Sequence, residues 1–209
     1  GQKYSEDAEF QSAVSAVLQW DGYYVPEAKA TVLYKLWRLK CGDRLNLAPL
    51  GLGQPLSNEV RVEALELLKE TIASLKETYG RWDVPWGEVH VMGREGQYFP
   101  VGGADFSSGD KEANFSETLM DVRSEPDSSK PGRYIANSGS MAMILMFFDE
   151  NGVRSFTCTP WGQSSHPESK HFMDQGEHLY SKRQMKPTWW DQAELKKNVQ
   201  SEKRFTLRK

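Results

Sequence analysis

SMAMILMFFDENGVRSFTCT, residues 140–159, is the stretch whose reading decides the fold. Met141 to Phe148 is an unbroken apolar run. It is far shorter than the ~20 residues a membrane-crossing helix needs, and its length suits a buried strand. Val153 to Thr159 is a second β-type run, and Glu150-Asn151-Gly152 stands between the two. Asn-Gly between two such runs predicts a tight hairpin, because the favoured turn demands positive φ where Asn and Gly pay least. A strand apolar at successive positions, not alternate ones, predicts burial on both faces of its sheet. Covering layers are then required, and helices would supply them.

The residues that follow read WGQSSHPESKHFMDQGEH, 161–178. Gly162 to Ser165 suit a turn, Pro167 stiffens what comes next, and Ser169 can cap a helix over about 169–183. That helix would pack through Phe172, Gly176 and Leu179. A further helix is expected at about 191–200. His171, Asp174 and His178 are spaced i, i+3, i+7, which offers a metal-binding alternative, since His and Asp are zinc ligands. Against it, Gly176 weakens the helix between them and neither an HExxH nor a paired-Cys motif is present. Ser164 or Ser165 beside His166 offers a nucleophile–base pair, but chain neighbours are poorly placed for that hydrogen bond and no G-x-S-x-G elbow exists. The stretch therefore reads as architecture: no catalytic, cofactor-binding or metal residue is assigned, with His171, Asp174 and His178 as the metal alternative.

Working back toward the N-terminus, the chain turns helical. Phe10, Val14, Val17 and Leu18 recur at helical spacing up to Asp21-Gly22, and Pro26 suits the first turn of a helix carrying Ala30, Leu33, Tyr34 and Trp37. Residues 42–57 read as loop. Asn58 can cap a long helix with Leu65, Leu68, Ile72, Leu75 and Tyr79 on one face, closed by Gly80. Beyond Trp82 the pattern changes to short strands at Glu88 to Met92 and Gln97 to Val101, with loop from Phe106 to Asn114, a strand at Glu117 to Arg123 and a surface loop from Glu125 to Gly132. The net charge of −3, with both signs interspersed, argues against a nucleic-acid partner. No run is long enough for a membrane span. Cys41 and Cys158 show no motif spacing, and their pairing is open. The chain begins Gly1-Gln2-Lys3, and a cut end is expected.

Several of these stretches together resemble the penicillin acylase family. WGQSSHPESKHFMDQ resembles the family's GQSG-x-P-x-S-P-H-x-x-D signature. Leu18-Gln19-Trp20-Asp21-Gly22 looks like its L-x-x-W-D-G, Trp86-Gly87-Glu88-Val89-His90 like its WG-x-x-H, and Pro100-Val101-Gly102-Gly103 like its PxGG. Asn137-Ser138 looks like the lead-in to a late central strand. Ser165 replaces the second glycine of GQSG and Lys170 the proline of S-P-H, which bears on subfamily and acyl specificity.

The resemblance implies an α+β fold, the C-terminal part of an αββα N-terminal-nucleophile hydrolase sandwich: antiparallel sheet strands flanked by helices, with a helical N-terminal portion. On this reading residues 1–209 are one incomplete domain, with 5–83 mainly helical and 84–209 strands plus covering helices. It implies hydrolysis of an N-acyl amide by a Ser at the start of the β subunit, activated by its own α-amine, with oxyanion donors and a calcium site also upstream. No catalytic residue transfers to this chain, and the chain alone is expected to be inactive. The implied partners are the remainder of the α and β subunits and a small N-acyl amide, in the periplasm or secreted; an isolated segment is expected to self-associate. The alternative is a free-standing binding module using the 161–178 loop.

Overall fold

Asp7 starts the first helix: its carboxylate accepts the Phe10 N–H at 3.0 Å, capping α1 (Ala8–Gln19). Phe10 and Ala13 are its buried residues, whereas Leu18 is exposed and lies off the buried face. Helix α2 (Ala30–Arg44) starts later than Pro26 suggests. Pro26 sits in the preceding turn, where its carbonyl accepts the Gly87 N–H. Short α3 (Ala48–Gly51) lies within the stretch read as loop, and α2 itself runs past Gly42. The long helix α4 (Asn58–Tyr79) is capped by Ser57, not Asn58, through the Val60 N–H, and Gly80 closes it at φ 77°. Leu68, Ile72 and Leu75 are buried as the stripe requires, with Leu65 and Tyr79 packed partly buried beside them. These side chains join Phe10, Val32, Leu33, Val84, Trp86 and Val89 in one core.

The structure is a computed structural model describing residues 4, 6–103, 122–140 and 142–206. The expected loop at Phe106 to Asn114 and all but the end of the expected strand at Glu117 to Arg123 lie outside the described residues. The chain divides into two compact units, Gly1–Ser140 and Met141–Lys209. Its class is α+β, with helices dominating the first eighty residues, as anticipated.

In the first unit, Glu88 and Val89 are not strand: a single helical turn, α5 (Trp86–Val89), precedes β1 (His90–Arg94). β1 pairs antiparallel with β2 (Gln97–Pro100), and parallel with β4 (Tyr134–Gly139), which pairs antiparallel with β3 (Val122–Pro126). The sheet order is β2-β1-β4-β3, so one pairing departs from the expected antiparallel pattern. Asp127 then closes the turn before β4, its carboxylate accepting from the Ser129 N–H and hydroxyl and from Arg133 Nε. Only residues beyond Pro126 therefore form the loop expected at Glu125 to Gly132.

In the second unit, β5 (Met143–Asp149) and β6 (Gly152–Cys158) form the expected hairpin, and β7 (Lys186–Thr188) pairs with β6. The expected two-sided burial of Met141 to Phe148 does not hold over the described residues, outside which Met141 lies. Ile144 to Phe148 are all exposed, Phe148 at 75%. β5 is an edge strand of the sheet ordered β5-β6-β7, and the exposure of successive side chains means that, among the described residues, no layer covers either of its faces. The expected covering helices are also short. The 169–183 stretch holds only α6 (Asp174–His178) and a 3₁₀ turn, Tyr180–Lys182; the later helix is α7 (Gln192–Lys197), capped by Asp191.

His90 is buried with its Nδ1–H donated to the Val101 carbonyl at 3.1 Å. Nε2 is buried as well. Burial lowers its pKa from 6.5 to about 4. Below pH 6.5 the unfolded chain takes up a proton that the folded state refuses until about pH 4, so stability falls with pH across that window. The shift corresponds to about 3 kcal/mol. Urea melts at pH 7 and pH 4 should show that loss in the wild type and a much smaller His-dependent component in His90→Leu; equal pH slopes would contradict this.

Candidate functional site

The 161–178 stretch folds back on itself. The Gly162 N–H donates to the Phe172 carbonyl at 2.9 Å, and the Ser164 N–H to the His171 carbonyl at 3.0 Å. These two bonds hold the loop closed and occupy carbonyls that a helix from Ser169 would have used. Ser169 accordingly does not cap a helix; its Oγ accepts the His171 N–H inside a turn. Gly162 is required by contact, not by φ. A Cβ there would lie 1.8 Å from the His171 carbonyl oxygen and 2.6 Å from Asp174 Oδ1.

The loop borders an open cleft of about 680 Å³ whose lining includes Ser164, His171, Asp174, Gln175, His178 and Lys186. His171 donates its Nδ1–H to Asp174 Oδ2 at 2.7 Å, while Asp174 Oδ1 accepts the Gln175 N–H. His171 lies outside α6, so the helical i, i+3, i+7 face expected for His171, Asp174 and His178 is not formed. Asp174 spends its carboxylate orienting an imidazole and starting a helical turn. Among the described residues, no group of three or more His, Cys, Asp and Glu side chains is arranged to hold a metal ion. The Ser164 hydroxyl oxygen accepts the His166 backbone N–H, a turn-stabilising bond. Gln175 and Lys186, which line the same cleft, were not singled out by the sequence reading; only the fold-back and β7 bring them there.

Neither cysteine is set up as a nucleophile. Both are free and buried, and burial raises the Cys41 thiol to about 11 and the Cys158 thiol above its ordinary value.

Three of the motif stretches meet in the first unit. Trp86 donates its indole N–H to the Gly103 carbonyl at 3.0 Å, and the Gly103 N–H donates to the Tyr24 carbonyl at 2.9 Å. Tyr24 meets Trp20 and Trp86 edge-on, and Trp86 stacks on His90 with ring centroids 4.8 Å apart. Gly87 and Gly102 let these segments approach: added Cβ atoms would lie 2.7 Å from Pro100 Cβ and 2.6 Å from the Tyr24 carbonyl oxygen. The W-D-G, WG-x-x-H and PxGG elements are thus one packed joint.

The family model of penicillin amidase matches residues 2–197. The chain belongs to the penicillin amidase family. Among solved structures it is similar to a thermostable penicillin G acylase from Alcaligenes faecalis, at 16% identity and a TM-score of 0.44, covering 100% of this chain and 44% of that one. The chain thus spans less than half the length of that acylase chain. Among the described residues no helix is long and apolar enough to cross a membrane.

Phe172 is 2% exposed and His178 is exposed, as the structural reading of this stretch expects. Phe172→Ala should cost about 3–5 kcal/mol and His178→Ala no more than about 0.5 kcal/mol in urea melts. Gly162→Ala should cost about 3 kcal/mol, because the added methyl meets backbone that cannot yield locally. A Gly162→Ala protein as stable as wild type would refute the fold-back latch.

Proposed function

We propose that this chain is the C-terminal segment of the β subunit of an N-acyl amide hydrolase and works as scaffold for a nucleophile carried upstream. The observation that carries the reading is the state of β5. Its outer edge has no hydrogen-bonded strand among the described residues, and its side chains are apolar and exposed on both faces. Exposed apolar edges of this kind pair readily with other strands. In the αββα sandwich implied by the motif resemblance, β5 becomes an interior strand and the remainder of the α and β subunits supplies its neighbours.

The chemistry assigned to the whole protein is attack on an amide carbonyl by an N-terminal hydroxyl, its α-amine taking the proton, with backbone and amide donors receiving the oxyanion. This chain contributes none of those groups. Its glycine-dependent joint around Trp86 and its fold-back loop at Gly162 would fix framework on which such groups depend, where small displacements are costly in rate. Substrates of the class are N-acyl amides, such as a β-lactam side chain or an acyl-homoserine lactone, met in the periplasm or outside the cell.

Two measurements test the reading. The 209-residue chain should self-associate in light scattering at high concentration, and Leu145→Lys with Phe147→Lys should return it to monomer. The chain alone should not turn over a panel of N-acyl chromogenic amides, whereas the processed longer protein should hydrolyse at least one. Turnover by the isolated chain, abolished by Ser164→Ala, would move the active site into the 161–178 loop and overturn the proposal.

A further inference from the structure

The tip of the β5–β6 hairpin carries a chemical feature that neither the core nor the 161–178 loop uses. Of the asparagines in the chain, Asn151 alone is followed by glycine. Asn151 and Gly152 are both exposed. Asp149 holds the loop from the backbone side: its Oδ1 accepts the Asn151 N–H at 2.8 Å, and its Oδ2 pairs with Arg154 at 3.2 Å. The Asn151 carboxamide itself makes no hydrogen bond among the described residues. Nothing lies within 4 Å of the place a Gly152 Cβ would take. The other described asparagines stand differently. Asn46 Oδ1 accepts the Ala48 N–H, Asn198 Nδ2 donates to the Glu194 carbonyl, Asn58 opens α4, and Asn137 lies within β4.

We propose that Asn151–Gly152 is a self-modification site, at which the chain converts Asn151 to aspartate and, mainly, isoaspartate, and so loosens its own hairpin end. The Gly152 backbone nitrogen gives up its proton and bonds to Asn151 Cγ. The Cγ–Nδ2 bond breaks, and Nδ2 leaves as ammonia carrying that proton. The succinimide ring so formed takes up one water. Opening between Cγ and the ring nitrogen leaves aspartate. Opening between the Asn151 main-chain carbonyl carbon and that nitrogen leaves isoaspartate, with the main chain routed through Cβ and Cγ. The main-chain carbonyl, nearer the electron-withdrawing amide on Cα, is the more electrophilic, so isoaspartate predominates. Attacker and target are neighbours in the chain, which removes the cost of a bimolecular encounter. Glycine matters because a side chain at 152 would crowd the attacking nitrogen and restrict its backbone. The ladder pairs Asp149 with Gly152, so the attack belongs to moments when the tip frays, and exposed ends open most readily. The product alters the turn twice over. A new carboxylate joins Asp149 and Glu150, and isoaspartate adds a backbone carbon between the paired Asp149 and Gly152. The chemistry uses only this chain and water, so it stands apart from the acylase reading.

The test ages the folded 209-residue chain at pH 8 and maps its peptides by mass. Asn151 should lose its amide, read as exchange of NH2 for OH, while Asn46, Asn58, Asn137 and Asn198 keep theirs. Enzymatic methylation of isoaspartate should label the 151 peptide in aged protein and not in fresh protein. Asn151→Gln, which would have to close a larger ring, should stay unlabelled. Hydrogen exchange at the β5–β6 amides nearest the tip should be faster in aged protein than in Asn151→Asp, which carries the charge without the extra carbon. Retention of the Asn151 amide in the folded chain, or its conversion only in urea, would overturn the proposal. So would equal loss at the other four asparagines, aspartate without isoaspartate, or tip exchange unchanged by ageing. Turnover of N-acyl amides is not read in this experiment, so its failure leaves the acylase reading untouched.

Discussion

The first unit depends on where Trp86 can stand. Its indole is flanked by Tyr24 and His90, and its N–H is spent on the Gly103 carbonyl. A buried indole N–H without a partner would cost more than the bond contributes, so the Gly102–Gly103 corner has to arrive at that point. It can do so because two glycines give way: Gly102 passes the Tyr24 carbonyl, and Gly87 passes Pro26 and Pro100, each closer than a Cβ allows. The consequences propagate. Trp86 opens α5, α5 aims β1, and β1 sets both an antiparallel neighbour and a parallel one. The helices α1, α2 and α4 close the other side of the same core.

The second unit uses the same device at one place. Gly162 lies against the His171 carbonyl and the Asp174 carboxylate, so the loop can fold back and donate two N–H groups to residues 171 and 172. This explains why the stretch looked like chemistry. His171 and Asp174 do form a hydrogen-bonded pair, but its geometry follows from the latch: the carbonyl of His171 and the carboxylate of Asp174 both face the missing glycine side chain. Serines and an aspartate gather because a tight, polar loop needs side-chain acceptors for its backbone donors, and Ser164, Ser169 and Asp174 each accept one.

Legibility in the sequence followed range. Helix α4 was readable from Leu68, Ile72 and Leu75 and from Gly80, because periodicity and a left-handed cap are local signals. The β5–β6 hairpin was readable from Asn151-Gly152 for the same reason. The burial of β5 was not, since periodicity reports what a strand requires and says nothing about which segment meets that requirement. The helix expected over 169–183 failed because spacing cannot reveal that the carbonyls of His171 and Phe172 are claimed by residues from an earlier turn. Ser57 won the cap from Asn58 by one position, within the usual uncertainty of helix ends. At the candidate site, the residue types were visible but their roles were not; Gln175 and Lys186 enter the cleft only through tertiary folding.

The two units differ in what they can sustain alone. The first gathers side chains from three long helices and a helical turn into a continuous core. The second has few buried apolar side chains, Cys158, Phe172, Met173 and Tyr180 among them, while Ile144 to Phe148 face water. A short chain already buries too small a fraction of its surface to be more than marginally stable, and this one leaves its most apolar strand exposed. Its native arrangement therefore gains most from whatever pairs with β5. Strand addition there would complete the backbone hydrogen bonding of one edge, and a layer packed on either face would remove large side chains from water, a gain of about 1.5–3 kcal/mol for each fully buried one. An edge this apolar is a hazard for a free protein and an asset for a part of a larger sheet.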